Sequence, residues 1–466
     1  MEKKMLLKKE TTPKGLSIII VGCGKVGSTL LERLSKEGHD ITIIDKNTDR
    51  VQDLANLYDV MGLIGNGASY SLQKEAGVDT ADLLIAVTDS DELNLLCCTI
   101  AKHTSNCAAI ARVRTPDYSN ELLFLQNQLD LAMIINPERE FAREVSRILA
   151  MPNALEVNSF AHGQAELVKL KIPSKNMLEG MNISTFASLM NIKTIICAIE
   201  RSGNVYIPSG KFVMHAGDVI SVVSSRNGIK EFFETIGFKT KHVKNTLIIG
   251  GGKAAYYLAK RLMHMNVSVK IIERDRSRCE ELSVLLPKAI IINGDGTDEE
   301  LLREEEIDTI ESFVPLTGID EENILLTLHA RQLSDAKIVT KINRTSFKDV
   351  ISSLDLGSVV YPRYITTEAI IAYVRAKTNS QNSNIETLYH MYDHRAEAIE
   401  FVVQKNTNVT EIPLKELKLK NNLLVACINR NGQTIIPDGD DCIKIGDSVI
   451  IVTTHTGFND IEDILS

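Results

Sequence analysis

The sequence predicts an α/β chain made of two doubly wound parallel-sheet domains, each followed by a small α+β domain. Three observations carry that expectation. An apolar strand running into a glycine-rich turn and a helix occurs twice, and each time a second apolar strand closed by an acid follows. The two copies are in register, since the turns at 22 and 250 and the acids at 45 and 273 are both displaced by 228 residues. The segments trailing each copy then change from alternating strands and helices to short strands with hairpin turns. One such turn is a common pattern; two with identical internal spacing are a specific one.

In order along the chain, residues 1–14 are locally basic and lack the apolar core of a signal peptide, so they read as a disordered lead-in. Ile18-Ile19-Ile20-Val21 is the first strand, leading into Gly22-Cys23-Gly24-Lys25-Val26-Gly27. Val26, Leu30 and Leu34 then recur at helical spacing, and Gly38 is the expected stop. Ile41-Thr42-Ile43-Ile44 is the second strand, closed by Asp45. Further strands at 83–87, 108–113 and 132–135, separated by helix-length segments, complete a parallel sheet. Met151-Pro152-Asn153 is a linker. Beyond it Val168, Leu170 and Ile172 alternate with Lys169 and Lys171, a half-buried strand. Ser202-Gly203-Asn204 is a hairpin turn, and Gly217-Asp218 turns into a strand at 219–223.

The second half repeats the first. Leu247-Ile248-Ile249 precedes Gly250-Gly251-Gly252-Lys253-Ala254-Ala255, and Glu273 closes Val269-Lys270-Ile271-Ile272. Thr88-Asp89-Ser90-Asp91-Glu92-Leu93-Asn94 matches Thr317-Gly318-Ile319-Asp320-Glu321-Glu322-Asn323. Ile207-Pro208 matches Ile436-Pro437, and Gly217-Asp218 matches Gly446-Asp447. The expected boundaries are a lead-in to 14, a nucleotide-binding domain at 15–150, a small domain at 151–240, and the same pair again at 241–376 and 377–466.

Composition narrows the function. A net charge of −9 argues against a general nucleic-acid binder. No run approaches the roughly 18 uninterrupted apolar residues of a membrane span, so a soluble chain is expected. The eight cysteines form no CxxC pair, which argues against a metal site or disulfide framework and for reduced thiols.

The glycine turns carry the chemistry. A pyrophosphate is cradled by backbone N–H groups at a helix start. Gly22 permits the tight turn, Gly24 the close approach, and Gly27 the packing of helix on strand. Asp45 is placed to accept from the adenosine ribose hydroxyls and to repel a 2′-phosphate, favouring NAD over NADP; the adjacent Lys46 pulls the other way. Glu273 keeps the acid in the second copy but reaches one methylene further. Lys25 and Lys253 either add affinity for phosphates or are ordinary exposed helix-start lysines. Asn66-Gly67-Ala68 and Gly294-Asp295-Gly296 follow the third strands, where small residues border an adenine. Thr88 and Asp89 follow the fourth strand, and Thr317 stands in the same place. Arg112 ends the fifth strand as a phosphate partner or a solvated arginine, with Lys341 as its counterpart. His103, His162, His215 and His242 have no repeated partners, so no proton-transfer group accompanies these turns. Asp91-Glu92 and Asp320-Glu321 read as helix-start acids rather than an acid–base pair.

With these residues in view, the chain resembles the TrkA family, the tandem RCK (or KTN) regulatory subunits of Trk potassium uptake. The resemblance spans about residues 16–466 and rests on Gly22 to Gly27 with Asp45, Ala86-Val87-Thr88 leading to Asp91-Glu92-Leu93-Asn94, Ala111-Arg112-Val113-Arg114, and the Ile207-Pro208 and Gly217-Asp218-Val219-Ile220 turns. It implies Rossmann-like RCK-N domains, each followed by an RCK-C domain, and a cytoplasmic protein peripheral to the membrane's inner face. It implies binding of NAD or NADH, with ATP or ADP as further candidates. It also implies a ring, a tetramer by expectation, under a channel-like potassium subunit of the TrkH/TrkG type, and regulation rather than catalysis. The family's ligand positions fall on Gly22, Cys23, Gly24, Lys25, Val26, Asp45, Thr88, Asp89 and Arg112. In the second half they fall on Gly250, Gly251, Gly252, Lys253, Ala254, Glu273, Thr317 and Lys341. Gly318 in place of Asp89, and Lys341 in place of Arg112, leave the second ligand open. RCK-C domains of some relatives bind cyclic di-AMP, a further candidate ligand here. The rival expectations are an NAD-dependent oxidoreductase and a structural ring scaffold with relic sites.

Overall fold

The computed structural model describes residues 15–118, 121–189, 194–238, 242–344, 348–378, 384–392 and 395–466; the expected lead-in at 1–14 lies outside them. The described residues form two compact units, those within 1–135 and 373–383 in one and those within 136–372 and 384–466 in the other.

The first unit runs β1 (Ser17–Val21), α1 (Lys25–Lys36), β2 (Asp40–Asp45), α2 (Thr48–Tyr58), β3 (Met61–Ile64), α3 (Tyr70–Glu75), β4 (Leu83–Ala86), α4 (Asp91–Thr104), β5 (Ala108–Arg112), α5 (Leu122–Gln128) and β6 (Met133–Ile135). The strands form one parallel sheet ordered β3-β2-β1-β4-β5-β6. A strand covered by helices on both faces has no polar side to alternate. Accordingly Ile18 to Val21 are all buried at the sheet's centre. Val26, Leu30 and Leu34 line the buried face of α1. Strand order reverses between β1 and β4, and ligands of such sheets bind outside the carboxyl ends at that reversal. Arg375, from the 373–383 stretch of this unit, forms an ion pair with Glu37 at the end of α1 (Nη2–Oε1 2.7 Å).

The second unit opens on α6 (Pro137–Ala150). It continues through β7 (Glu156–Phe160), β8 (Ala165–Lys171), α7 (Ile183–Leu189), β9 (Thr194–Arg201), β10 (Asn204–Tyr206), β11 (Val219–Ser225) and α8 (Arg226–Thr235). These strands form an antiparallel sheet ordered β10-β9-β11-β8-β7. A second parallel sheet follows, built from β12 (Asn245–Ile249), α9 (Lys253–His264), β13 (Ser268–Glu273), α10 (Arg276–Leu285), β14 (Ile290–Asn293) and α11 (Glu299–Glu304). It is completed by β15 (Ser312–Pro315), α12 (Asp320–Leu333), β16 (Lys337–Lys341), α13 (Lys348–Ser353), β17 (Ser358–Val360) and α14 (Pro362–Thr378), whose residues from 373 belong to the first unit. Its order, β14-β13-β12-β15-β16-β17, repeats that of the first sheet. The last sheet, β18-β19-β22-β20-β21, uses β18 (Ile385–Met391), β19 (Ala396–Val402), β20 (Leu423–Arg430), β21 (Gln433–Ile435) and β22 (Ser448–Thr453).

The expected hairpins are present in both antiparallel modules. Ser202 and Gly203 have φ of +51° and +81°, and Asn431 and Gly432 have +53° and +79°. Positive φ at both central residues is the two-residue turn whose twist matches its strands. The two antiparallel sheets share one core, in which Phe160, Leu167, Val223, Ala398, Ile450 and Val452 are buried together. Tyr392 closes it, its hydroxyl 2.7 Å from Ser221 Oγ. The repeat is not complete here. Where the first module carries α7 and α8, the described residues of the second carry the 3₁₀ turns Leu414–Glu416 and Ile461–Ile464 and no α-helix.

Candidate nucleotide-binding site

At the reversal between β1 and β4 the first glycine turn lies between the ends of β1 and α1. Gly22 has φ +101°, and a Cβ there would lie 2.8 Å from the Thr88 nitrogen, so both conformation and space call for glycine. Gly24 is the N-cap of α1 with no side-chain cap, leaving helix-start N–H groups for a ligand. Asp45 closes the turn from the β2 side. Its Oδ2 accepts from Cys23 N at 2.6 Å and its Oδ1 from Asn47 N at 2.9 Å. Burial, then the Asp45 carboxylate, pushes the Cys23 thiol up to about 12, so it stays protonated and unreactive. Gly65 N donates to Asp45 O at 2.9 Å, setting the Asn66-Gly67-Ala68 turn beside the acid. Lys25, Lys46 and Asn66 are exposed.

The carboxyl end of β4 is tied to β5. Arg112, 8% exposed, donates through Nη2 to Thr88 O at 2.5 Å and to Asp89 Oδ1 at 3.2 Å. Asp89 is fully exposed on its other side. A phosphate partner at this position would thus compete with Thr88 and Asp89 for the guanidinium.

The second site keeps the frame. Glu273 Oε2 accepts from Gly251 N at 2.6 Å and Oε1 from Asp275 N at 2.8 Å, so its extra methylene is absorbed without moving the carboxylate off the turn. Gly252 caps α9 as Gly24 caps α1, with Lys253 and Ala254 in its first turn. Lys341 Nζ reaches Leu316 O at 3.1 Å, one residue short of the position Arg112 holds on Thr88. Asp295 lies in the turn after β14, where its Oδ1 accepts from Thr297 N and Oγ1; the Thr297 backbone bond, then its hydroxyl, holds Asp295 below the usual carboxylate range.

Three sets of residues at these sites were not anticipated. Asn94 is fully buried; its Oδ1 accepts from Thr88 N and Oγ1, and its Nδ2 donates to Thr88 O and Arg112 O. Asn323 repeats every one of those contacts on Thr317 and Lys341. Asp91 and Asp320 do begin helices, but their carboxylates are engaged elsewhere. Asp91 Oδ2 accepts from Arg114 N and Thr115 N, and Asp320 from Asn343 N and Arg344 N. Burial opposes the charge on Asp91, yet hydrogen bonds from Thr115 and Arg114 outweigh it and lower its pKa. Arg278 lies across the second turn, with Nε donating to Gly251 O at 2.7 Å and Nη1 2.6 Å from Glu281. The repeated T-x-x-D-x-x-N spacing was the available signal for the first two sets; nothing local marked Arg278.

Among the described residues no cluster of three or more His, Cys, Asp or Glu is gathered for a metal, and no helix is long and apolar enough to cross a membrane. All eight cysteines are unpaired.

The family models of the TrkA-N domain match residues 18–137 and 246–362, and those of the TrkA-C domain match 167–237 and 398–466. The chain is 33% identical over 443 residues to the Trk system potassium uptake protein TrkA of Haemophilus influenzae, covering 94% of this chain and 95% of that one. It is 32% identical to TrkA of Vibrio alginolyticus, covering 96% and 98%. Among solved structures, the GsuK channel bound to NAD has a TM-score of 0.63 at 17% identity, over 96% of this chain and 78% of that one. The GsuK RCK domain has a TM-score of 0.64 at 17% identity, over 96% and 93%. These structural likenesses speak for the fold, and the sequence matches for the descent. The chain belongs to the TrkA family, with a TrkA-N domain and a TrkA-C domain each present twice.

Proposed function

We propose that this protein is a nucleotide-sensing regulatory subunit of potassium uptake, acting by binding rather than by catalysis. The observation that carries the reading is the geometry of the first turn: an uncapped helix start at Gly24, closed by an Asp45 carboxylate 2.6 Å from Cys23 N, at the strand-order reversal. Helix-start N–H groups suit a pyrophosphate, and the acid suits the ribose of NAD or NADH. ATP and ADP are further candidate ligands of the chain, and the second turn, with Glu273, Lys341 and Gly318, leaves its own nucleotide open. The four domains fall at 15–150, 151–240, 241–376 and 377–466. Kinship with Trk system proteins supports a cytoplasmic location on the membrane's inner face. It also supports a self-assembled ring under a TrkH/TrkG-type subunit, with cyclic di-AMP a candidate at the TrkA-C domains. The nucleotide favours one arrangement of the ring through differential affinity, which is the only way a ligand shifts such an equilibrium. The test is potassium flux in proteoliposomes holding the membrane subunit and this chain, with NADH, NAD, ATP and ADP varied. Flux that changes with nucleotide supports the reading; flux indifferent to all four rules it out.

A further inference from the structure

The turn beside Asp45 is held from inside by a buried amide. Gln73 on α3 has no exposed surface. Its Nε2 donates to Gly67 O at 2.7 Å and to Cys97 O on α4 at 3.0 Å, while its Oε1 is buried with no hydrogen-bond partner among the described residues. Leaving a buried acceptor unmade is unfavourable, and the alternative at such a position is an apolar side chain, without the unmet acceptor and without the two bonds. The second half has that apolar side chain. Leu302 stands at the matching register of α11, buried with Ile249, Ile272 and Phe313.

The two turns are otherwise built alike. A Cβ on Gly67 would lie 2.2 Å from Val21 Cγ1, and one on Gly296 2.2 Å from Ile249 Cγ2, so each turn presses on the tip of its central strand. The second turn is tied on its exposed side, by Asp295 to Thr297. The first has Ala68 where Thr297 stands, with Asn66 Oδ1 accepting from Ala68 N at 3.1 Å. Its additional restraint comes from beneath, through Gln73. On its outer side, next to the ribose acid, the first turn therefore lacks only the hydroxyl tie that Thr297 gives the second.

We infer that Gln73 is a positioning residue for the first nucleotide site, holding the Asn66-Gly67-Ala68 turn as the wall that reads the adenine base. The inference rests on the proposed nucleotide reading of that site. Gln73 acts through the turn and does not itself touch the ligand. The consequence is a base specificity that the second site, restrained differently, does not share.

The test is calorimetric titration of the full chain, in a Glu273→Ala background that isolates the first site, with NADH and with its hypoxanthine analogue. Gln73→Met keeps the length of the side chain without its amide, and Gln73→Leu copies the second half; circular dichroism and thermal unfolding confirm that each variant is folded. A site that hydrogen-bonds its ligand rejects the analogue lacking the group, so with Gln73 present NADH is expected to be preferred by roughly tenfold or more. In Gln73→Met and Gln73→Leu the ratio is expected to fall to within about twofold. A merely structural role would weaken both ligands together and leave the ratio unchanged, and that result overturns the inference. If the chain with Gln73 intact binds neither ligand, the nucleotide reading falls and takes this one with it.

Discussion

Asn94 clamps Thr88 through the peptides on both sides of it: the same side chain accepts from the Thr88 nitrogen at 2.8 Å and donates to the Thr88 oxygen at 3.1 Å. It also donates to Arg112 O at 2.9 Å, so one buried amide fixes the carboxyl ends of β4 and β5 together. Asn94→Ala strands the Thr88 N–H, while Thr88 O keeps its donor from Arg112 Nη2, so the loss is that of about one unmet buried group, about 1–3 kcal/mol. The unfolding transition of the first unit is expected to fall by roughly 5–10 °C, with NADH affinity falling alongside it. Scanning calorimetry and a titration check both, and an unchanged transition would refute the clamp.

Asp45→Asn tests the acid at the ribose position. The amide oxygen still accepts from Cys23 N, but the NH2 cannot accept from Asn47 N, so the charge and one bond of the turn are removed together. Charge-assisted hydrogen bonds contribute about 1.5–3 kcal/mol, so NADH is expected to bind about ten- to a hundredfold more weakly. NADPH is expected to gain relative to NADH, because the repulsion of its 2′-phosphate is gone. Parallel titrations of the two cofactors check this, and an unchanged preference counts against the assignment of Asp45.

The glycine turns, the acids and the doubled architecture were legible because they are local and periodic. Strand, turn, helix and acid lie within 28 residues, and copying them at a fixed offset removes the ambiguity of either one. The clamps were not legible for the opposite reason. Asp91 reads as a helix-start acid from its neighbours, but its carboxylate is taken by backbone N–H groups 23 and 24 residues downstream, brought close only by the pairing of β4 with β5. Arg278 similarly depends on α10 folding back over the turn 27 residues before it. The missing helices of the last module were hidden because the flanking turns at Asn431-Gly432 and Gly446-Asp447 still matched the first.

The ion pair between Arg201 and Asp218 is repeated as Arg430 and Asp447. In each, Nε and Nη2 of the arginine bind the two carboxylate oxygens, at 2.7 and 2.6 Å in the first and 2.8 Å for both in the second. Burial opposes the charge on Asp218, but Arg201 and the His215 N–H outweigh it and hold its pKa below the usual value. A carboxyl whose folded pKa is lowered stabilises above its unfolded pKa and loses that stabilisation as pH falls through the folded one. Asp218→Asn is therefore expected to lose about 3 kcal/mol at neutral pH and to converge on the parent as pH drops below the ordinary carboxylate range. Thermal unfolding across pH 2–7 checks the convergence.

Glu144 on α6 has the reverse sign. Burial, then the neighbouring Glu156 carboxylate, pushes it up to about 8, with Arg147 opposing and Glu140 adding to the rise. Glu156 itself accepts from Lys169 Nζ at 2.8 Å and Tyr389 OH at 2.5 Å. A carboxyl raised in the fold penalises folding increasingly as pH climbs from its unfolded value toward the folded one. Glu144→Gln is expected to match the parent near pH 4 and to melt higher than it at pH 8.5. Equal melting temperatures at both values would show that Glu144 ionises freely.

The last prediction separates the two turns by a single methyl group. Gly27 was expected to let α1 pack on its strand, but the tighter contact lies across the turn: a Cβ there would sit 1.9 Å from Gly22 O, against 3.5 Å from Val87 Cγ2. The matching residue of the second turn is Ala255, buried without exposed surface. The second turn has more room at its first glycine as well. A Cβ on Gly250 would come no nearer than 3.2 Å to Leu316, whereas on Gly22 it would be 2.8 Å from Thr88. Gly27→Ala must therefore push the Gly22 carbonyl outward and disturb the N–H groups of the helix start, an overpacking loss of about 1–3 kcal/mol. Ala255→Gly only removes a methyl from a turn already shaped around it, and lowers the helix preference of one residue by about 1 kcal/mol. Nucleotide titration of the two variants is expected to show first-site NADH binding abolished in Gly27→Ala and second-site binding nearly unchanged in Ala255→Gly. Retention of NADH binding by Gly27→Ala would mean that the first turn has the same slack as the second, and that the two sites are not distinguished at the phosphate.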